Sequence, residues 1–219
     1  MTFALITEGV SEHRIIKHIV VKYFKDKNPD INQIQPKIVN EKQVVGGGWN
    51  EVLEYCKRDE LKDIFVENDY LIIQIDSDQS QQNPFNVSHT NVDGKMKSDE
   101  ELYNDILIKL ENLIKPEIKA SFGDKIFFAI CIHTIECWLL PLYYTNNQKL
   151  KTNNCLAILN TALPRNNIHI ITPKNKNKSN GIKAYDSILS NMKKKTEINS
   201  VSQHNMGFDK FIGSIKKIG

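Results

Sequence analysis

The run YLIIQI at residues 70–75 constrains this chain more than any other segment. A continuous apolar stretch of this kind belongs in the middle of a parallel sheet, covered on both faces. Two further runs, TFALIT at 2–7 and IFFAICI at 126–132, also read as short buried strands. Between them the hydrophobic period changes. Ile15, Ile16, Ile19, Val20 and Phe24 recur at helical spacing and predict a helix from about Val10 to Lys27, with Ser11 as its N-cap. A weaker strand is expected over 33–40, which Pro36 assigns to a sheet edge. After Gly46–Gly48 a second helix is expected from Trp49 to about Phe65, and a third from Asp99 to Ile114. Residues 77–97 are polar and turn-rich, a loop long enough to be functional or mobile. An apolar helix through Glu136, Trp138, Leu139 and Leu140 follows the last run. Strands alternating with helices predict an α/β fold, a parallel sheet flanked by helices.

The final third differs in charge. Residues 1–140 carry 23 Asp/Glu against 16 Lys/Arg, whereas 141–219 carry 3 against 13, so a net charge of +3 conceals −7 and +10. Such a split suggests one part that collects cations and another that meets a polyanion. Lys174, Lys176 and Lys178 in a basic loop, and Lys193, Lys194 and Lys195, are the candidate nucleic-acid contacts. With 26 Lys and 3 Arg, lysines on a solvated surface are the plainer reading of any single one. Helices are expected over 154–163, 181–195 and 206–218, and a strand over 167–172. The expected organisation is a core over 1–145 and a basic, mostly helical elaboration over 146–219 packed on the same domain.

Each apolar run ends in carboxylates. The first gives Glu8, with Glu12 one helical turn on; the 70–75 run gives Asp76 and Asp78; the 126–132 run gives Glu136, with Thr134 beside it. Ligands of open parallel sheets bind outside the carboxyl ends of the strands. Converging carboxylates repel unless a cation lies among them, and oxygen donors suit hard ions such as magnesium or manganese. One acid at a strand end is more often a cap or a surface ion pair; the repetition on three strands is what points to metal.

EGVSE after the first strand and IDSD after a later one resemble the Toprim fold, a Rossmann-like parallel sheet. Glu12 and the Thr134-Ile135-Glu136 element running into CWLLPL are more similar to the OLD-nuclease branch and to small stand-alone RloB-type abortive-infection proteins. The resemblance covers 1–140 and loosens beyond. It implies phosphodiester cleavage or nicking with one or two Mg2+ or Mn2+ ions held by Glu8, Glu12, Asp76, Asp78 and Glu136, with Thr134 assisting. Glu8, Asp76 and Asp78 would be catalytic, together with a late lysine for which Lys183 is the candidate and Lys178 the second choice. The implied substrate is DNA, with RNA such as transfer RNA as its rival, and the implied setting is antiviral defence. A non-catalytic or partner-dependent subunit working with a separately encoded ATPase is the alternative. The chain itself has no GxxxxGK[ST] phosphate-binding loop.

The remaining features have simpler readings. No apolar stretch is long enough to span a bilayer, and the first residues lack a basic, then apolar, leader, so a cytoplasmic protein is expected. Cys56, Cys131, Cys137 and Cys155 show no CxxC pair and read as buried free thiols of a reducing compartment. His13 and His18 read as solvated helix residues, His133 as a buried and satisfied one, and Gly46–Gly48 as a connector. Trp49 and Trp138 read as core, and Lys193–Lys195 as a solvated helix end favoured by the helix dipole. Oligomeric state is left open by the sequence.

Overall fold

The apolar runs pair side by side in a computed structural model that describes residues 1–39 and 42–218. β1 (Thr2–Ile6), β2 (Asp30–Gln35), β5 (Tyr70–Asp76) and β6 (Ile126–Cys131) form a sheet in the order β2-β1-β5-β6. Every pair in it is parallel, with Ile6 opposite Ile73 and Asp76 opposite Cys131. β3 (Lys37–Val39) and β4 (Lys42–Val45) make a separate antiparallel ribbon. The expected edge strand starts earlier than predicted and stops before Pro36; Asn40, the end of the predicted span, lies outside the described residues. The long runs are central because both faces of β1 and β5 are covered, which a continuous apolar sequence requires.

Alternation along each strand divides the core. Phe3, Leu5, Ile72, Phe127, Ala129 and Cys131 face α1 (Val10–Tyr23), α6 (Cys155–Ala162), α7 (Ser179–Leu189), α8 (Lys195–Ser202) and α9 (Met206–Ile215). Ala4, Ile6, Leu71, Ile73, Ile75 and Ile130 face α2 (Trp49–Lys57), the short α3 (Ile64–Glu67), α4 (Asp99–Leu113) and α5 (Pro116–Phe122). The basic third therefore supplies most of one covering layer. Trp138 stacks on Phe208 of α9, ring centroids 4.5 Å apart, as an apolar residue of that layer.

Several elements differ from expectation. Gly9, not Ser11, caps α1; Ser11 is buried inside the first turn. The helix predicted from Trp49 to Phe65 breaks after Lys57 into 3-10 and short helical turns, and the segment Ile135–Leu142 is 3-10 rather than α. Pro141 lies within it and cannot donate an amide to an α-helical ladder. No strand forms over 167–172. There the Asn160 side chain takes the place of a neighbouring strand, donating Nδ2 to Ile171 O at 2.6 Å and accepting Ile171 N at 2.8 Å. The helix expected over 181–195 ends at Leu189, and α8 begins at Lys195. Lys193–Lys195 thus stand at a helix start, where the dipole opposes cations, instead of at a helix end.

The cysteines also divide. Cys56 and Cys131 are buried free thiols as expected, but Cys137 and Cys155 form a disulfide. Packing of the 3-10 segment against α6 brings their Cα atoms to 4.9 Å, within the range a disulfide spans. The 77–97 loop is folded: Phe85 is fully buried against Trp49, and Ser80 Oγ donates to Val87 O at 2.9 Å. No helix among the described residues is long and apolar enough to cross a membrane.

Candidate functional site

β1 and β5 are neighbours, but the helices that follow them, α1 and α4, cover opposite faces of the sheet. A crevice opens at the carboxyl ends of such a strand pair. Glu8 leaves β1 there, and its backbone amide donates to the Gln74 side chain at 3.2 Å. Its Oε1 accepts the Asp76 backbone amide at 2.6 Å. Gln74 and Asp76 lie two residues apart on the face that Ile72 turns toward α1, and Gln74 Nε2 donates to Asp76 Oδ1 at 2.8 Å.

The first turn of α1 adds Glu12, which is 2% exposed. Its Oε2 accepts Ser11 Oγ at 2.8 Å, and its Oε1 meets Lys176 Nζ at 2.7 Å. A Cβ on Gly9 would lie 2.4 Å from Glu12 Oε2, so the glycine after Glu8 leaves room for a carboxylate. Its backbone is extended and imposes no need of its own. The 3-10 segment after β6 brings Glu136, equally buried, and Tyr185 of α7 donates its hydroxyl to Glu136 Oε1 at 2.6 Å. Glu8, Glu12, Asp76 and Glu136 thus come from three strand ends to one place. Asp78 flanks them in an exposed position, its amide donating to His133 O at 3.1 Å, and half-buried Thr134 stands beside it on a shared cavity wall.

The electrostatics follow from crowding like charges in a poorly solvated space. Burial first, then the neighbouring Glu12 and Asp78, pushes the Glu8 carboxyl up to about 8 against the pull of the Asp76 amide and Lys176. Asp76 is raised well above the carboxylate range by burial and by Glu8, Glu12 and Glu136. Burial favours a neutral amine at Lys176, but Glu12, Glu136 and Asp76 outweigh it and raise its pKa, so it stays charged. Burial, then Glu136, likewise raises the Tyr185 hydroxyl and keeps it a donor.

The lysine that pairs with a carboxylate of the cluster is neither of the two late-lysine candidates. Lys183 is exposed on α7 and Lys178 exposed at its start, whereas Lys176, expected as an ordinary nucleic-acid contact, is paired with a site carboxylate. Lys174 is exposed beside it in the same loop. Lys193, Lys194 and Lys195 are exposed at the far end: Lys195 lies over the Tyr23 ring at 4.4 Å, at the last residue of α1. That is eleven residues beyond Glu12, roughly 16 Å along a helix. Neither helix histidine is solvated as predicted. His13 is 8% exposed, and burial, then Lys17 and Arg14, lowers it to about 4. His18 bonds Met192 O at 2.7 Å. His133 is half-buried, at φ 58°.

Tyr185 went unrecognised in the sequence, where nothing but helical spacing marks it, and Ser11 was read only as a helix cap. Gln74 had a signal: it is the one amide inside an apolar strand, one pleat before Asp76. The donor set suits a hard divalent cation, since carboxylate oxygens crowd together and one lysine balances one charge. Each carboxylate at its centre is also engaged within the chain, and among the described residues no three His, Cys, Asp or Glu side chains are spaced to hold an ion as they stand. Comparison with protein-family models, curated proteins and solved structures finds no match to this chain.

Proposed function

We propose that this chain is a magnesium- or manganese-dependent phosphodiesterase that cleaves or nicks nucleic acid. DNA is the first substrate, and structured RNA such as transfer RNA is its rival. The observation that carries the reading is the convergence of Glu8, Glu12, Asp76 and Glu136, from the ends of three parallel strands, around Lys176. A role in antiviral or abortive-infection defence rests on the Toprim resemblance alone.

Glu8, Asp76 and Glu136 would hold the ion, with Glu12 joining if it releases Lys176, and with Asp78 and Thr134 at the mouth. A bound divalent ion supplies an activated water and stabilises charge on the leaving oxygen. Glu8, its Oε1 fixed by the Asp76 amide, would serve as a ligand through Oε2 or, where Oε2 does not coordinate, take a proton there. Lys176 is placed to neutralise charge that develops on a phosphate.

One observation favours a second, partner-dependent reading. Glu12 is paired with Lys176 and Glu136 is bonded to Tyr185, so the ligand set is closed on itself until something draws Lys176 away. Nucleic acid could do this, and so could a second chain such as an ATPase.

The deciding experiment incubates pure protein with labelled duplex DNA, single-stranded DNA and transfer RNA, with manganese, with magnesium and with chelator. Metal-dependent cleavage that disappears in Glu8→Ala and Asp76→Ala is expected. Cleavage that survives both substitutions would overturn the assignment, and cleavage of no substrate would favour the partner-dependent reading.

A further inference from the structure

We infer that the cavity beside Asp78 is a nucleobase subsite, so that the substrate is engaged at an unpaired nucleotide rather than along an intact duplex. The inference rests on the proposed function and adds the substrate class. The cavity is open to solvent on one side and has a volume of about 500 Å³, a size that suits a small planar ligand. Leu156, Ala157, Ile171 and Pro173 form apolar walls, while His133 and Thr134 stand with Asp78 on the side of the strand ends. Among the described residues its lining includes no lysine or arginine, so it offers a phosphate no counter-charge. Cations lie outside it: Lys174 follows Pro173 directly, and Lys176 sits among the carboxylates. A flat heteroaromatic body with an anionic phosphate attached fits this division, the base entering the cavity and the backbone turning toward the lysines and the acidic cluster. His133, half-buried on the cavity wall with its ring edge-on to His89 at 5.7 Å between centroids, places there an aromatic ring of the kind that unpaired bases stack on.

The walls are fixed from within the fold. Asn160 clamps Ile171 through two hydrogen bonds, and the Cys137–Cys155 disulfide ties α6 to the segment that carries Glu136. His133 holds a left-handed backbone, which costs a non-glycine residue energy and collects at functional sites. Three bonds hold it there: its amide donates to Ser77 Oγ at 2.7 Å, and its carbonyl accepts the Ser77 and Asp78 amides at 3.0 and 3.1 Å. A base inside a duplex is stacked and paired and must be extruded to enter such a space, at a cost of a few kcal/mol.

Ala157 is exposed on the cavity wall, and larger side chains there fill the cavity without entering the core. The test measures binding of a short single-stranded oligonucleotide carrying 2-aminopurine, and of its blunt duplex, with calcium replacing manganese. Wild-type protein should bind the single strand more tightly and change the 2-aminopurine fluorescence. Ala157→Leu and Ala157→Trp should weaken single-strand binding progressively, the latter by about tenfold, the worth of one stacked base, and abolish the fluorescence change. Duplex binding and melting temperature should stay unchanged. Equal single-strand binding by wild type and Ala157→Trp, with metal-dependent cleavage intact, would overturn the subsite and leave the nuclease reading standing. Failure of wild-type protein to bind or cleave any nucleic acid would overturn both.

Discussion

Glu8 links sequence, stability and chemistry at the scale of one residue. Its carboxyl is raised from an ordinary 4.5 to about 8, mainly by burial. Between those values the folded chain keeps a proton that the unfolded chain has released, so stability falls as pH rises through that window and levels above it. In chelator, Glu8→Gln should therefore gain on wild type in melting temperature between pH 4.5 and 8 and hold its advantage above, on the order of 2 kcal/mol after allowance for partial exposure. Manganese should reverse the order, since an ion replaces the proton in wild type and finds one ligand fewer in the variant. A difference that does not vary with pH would remove the raised carboxyl from the account. Lys176 makes the complementary case. Breaking a fully buried ion pair costs about 3–5 kcal/mol, and Lys176 keeps 27% of its surface exposed, so Lys176→Met should cost on the order of 2 kcal/mol in urea unfolding. Glu12→Gln added to it should restore more than half, because it removes the charge left unpaired. Additive losses would show that the pair is not coupled.

At the scale of elements, α1 and α7 run side by side away from the site. Contacts rise along both: Ser11 with Asn177, Arg14 with Asp186, and His18 with Met192 just beyond α7. Gly181 lets the loop that carries Lys176 fold back against the first turn of α7. A Cβ there would meet the Asn175 carbonyl oxygen at 2.2 Å and the Lys176 Cα at 2.8 Å, backbone atoms that a rotamer change cannot clear. Gly181→Ala should shift the helix against the loop that positions Lys176, costing about 1–3 kcal/mol and weakening manganese binding together with stability. Gly213→Ala in α9, where a Cβ meets nothing within 4 Å, should be neutral or gain a few tenths of a kcal/mol from helix propensity. Equal effects of the two substitutions would contradict the close packing of α7. Helix periodicity shows which face of α7 is apolar; it does not show that a loop backbone lies against its first turn.

At the scale of the whole molecule, the basic third is not one surface. Lys174 and Lys178 border the strand ends, while Lys193, Lys194 and Lys195 lie toward the opposite end of α1. Log affinity for duplex DNA falls with log salt by about 0.9 per phosphate neutralised. Lys174→Gln with Lys178→Gln should flatten that slope by up to roughly 1.8, and the triple glutamine variant of 193–195 should leave it nearly unchanged. The reverse result would move the nucleic-acid path away from the carboxylates.

The parallel sheet and the carboxylates at its edge were legible in the chain alone, because both rest on local signals. Continuous apolar runs demand burial on two faces; Glu8 directly follows one such run, Asp76 ends another, and Glu136 comes a short turn after the third. Lys176 and Tyr185 were not legible, because each joins segments far apart in sequence: Lys176 stands 164 residues from Glu12, and Tyr185 stands 49 from Glu136; the Cys137–Cys155 bond spans only 18 residues but depends on how two separate elements pack. No periodicity or spacing encodes which of several lysines in a basic loop will be drawn into an acidic crevice. That choice was made by the packing of α7 on α1 and on the loop behind it, where burial makes an unbalanced carboxylate costly and one ammonium group within reach offsets the cost.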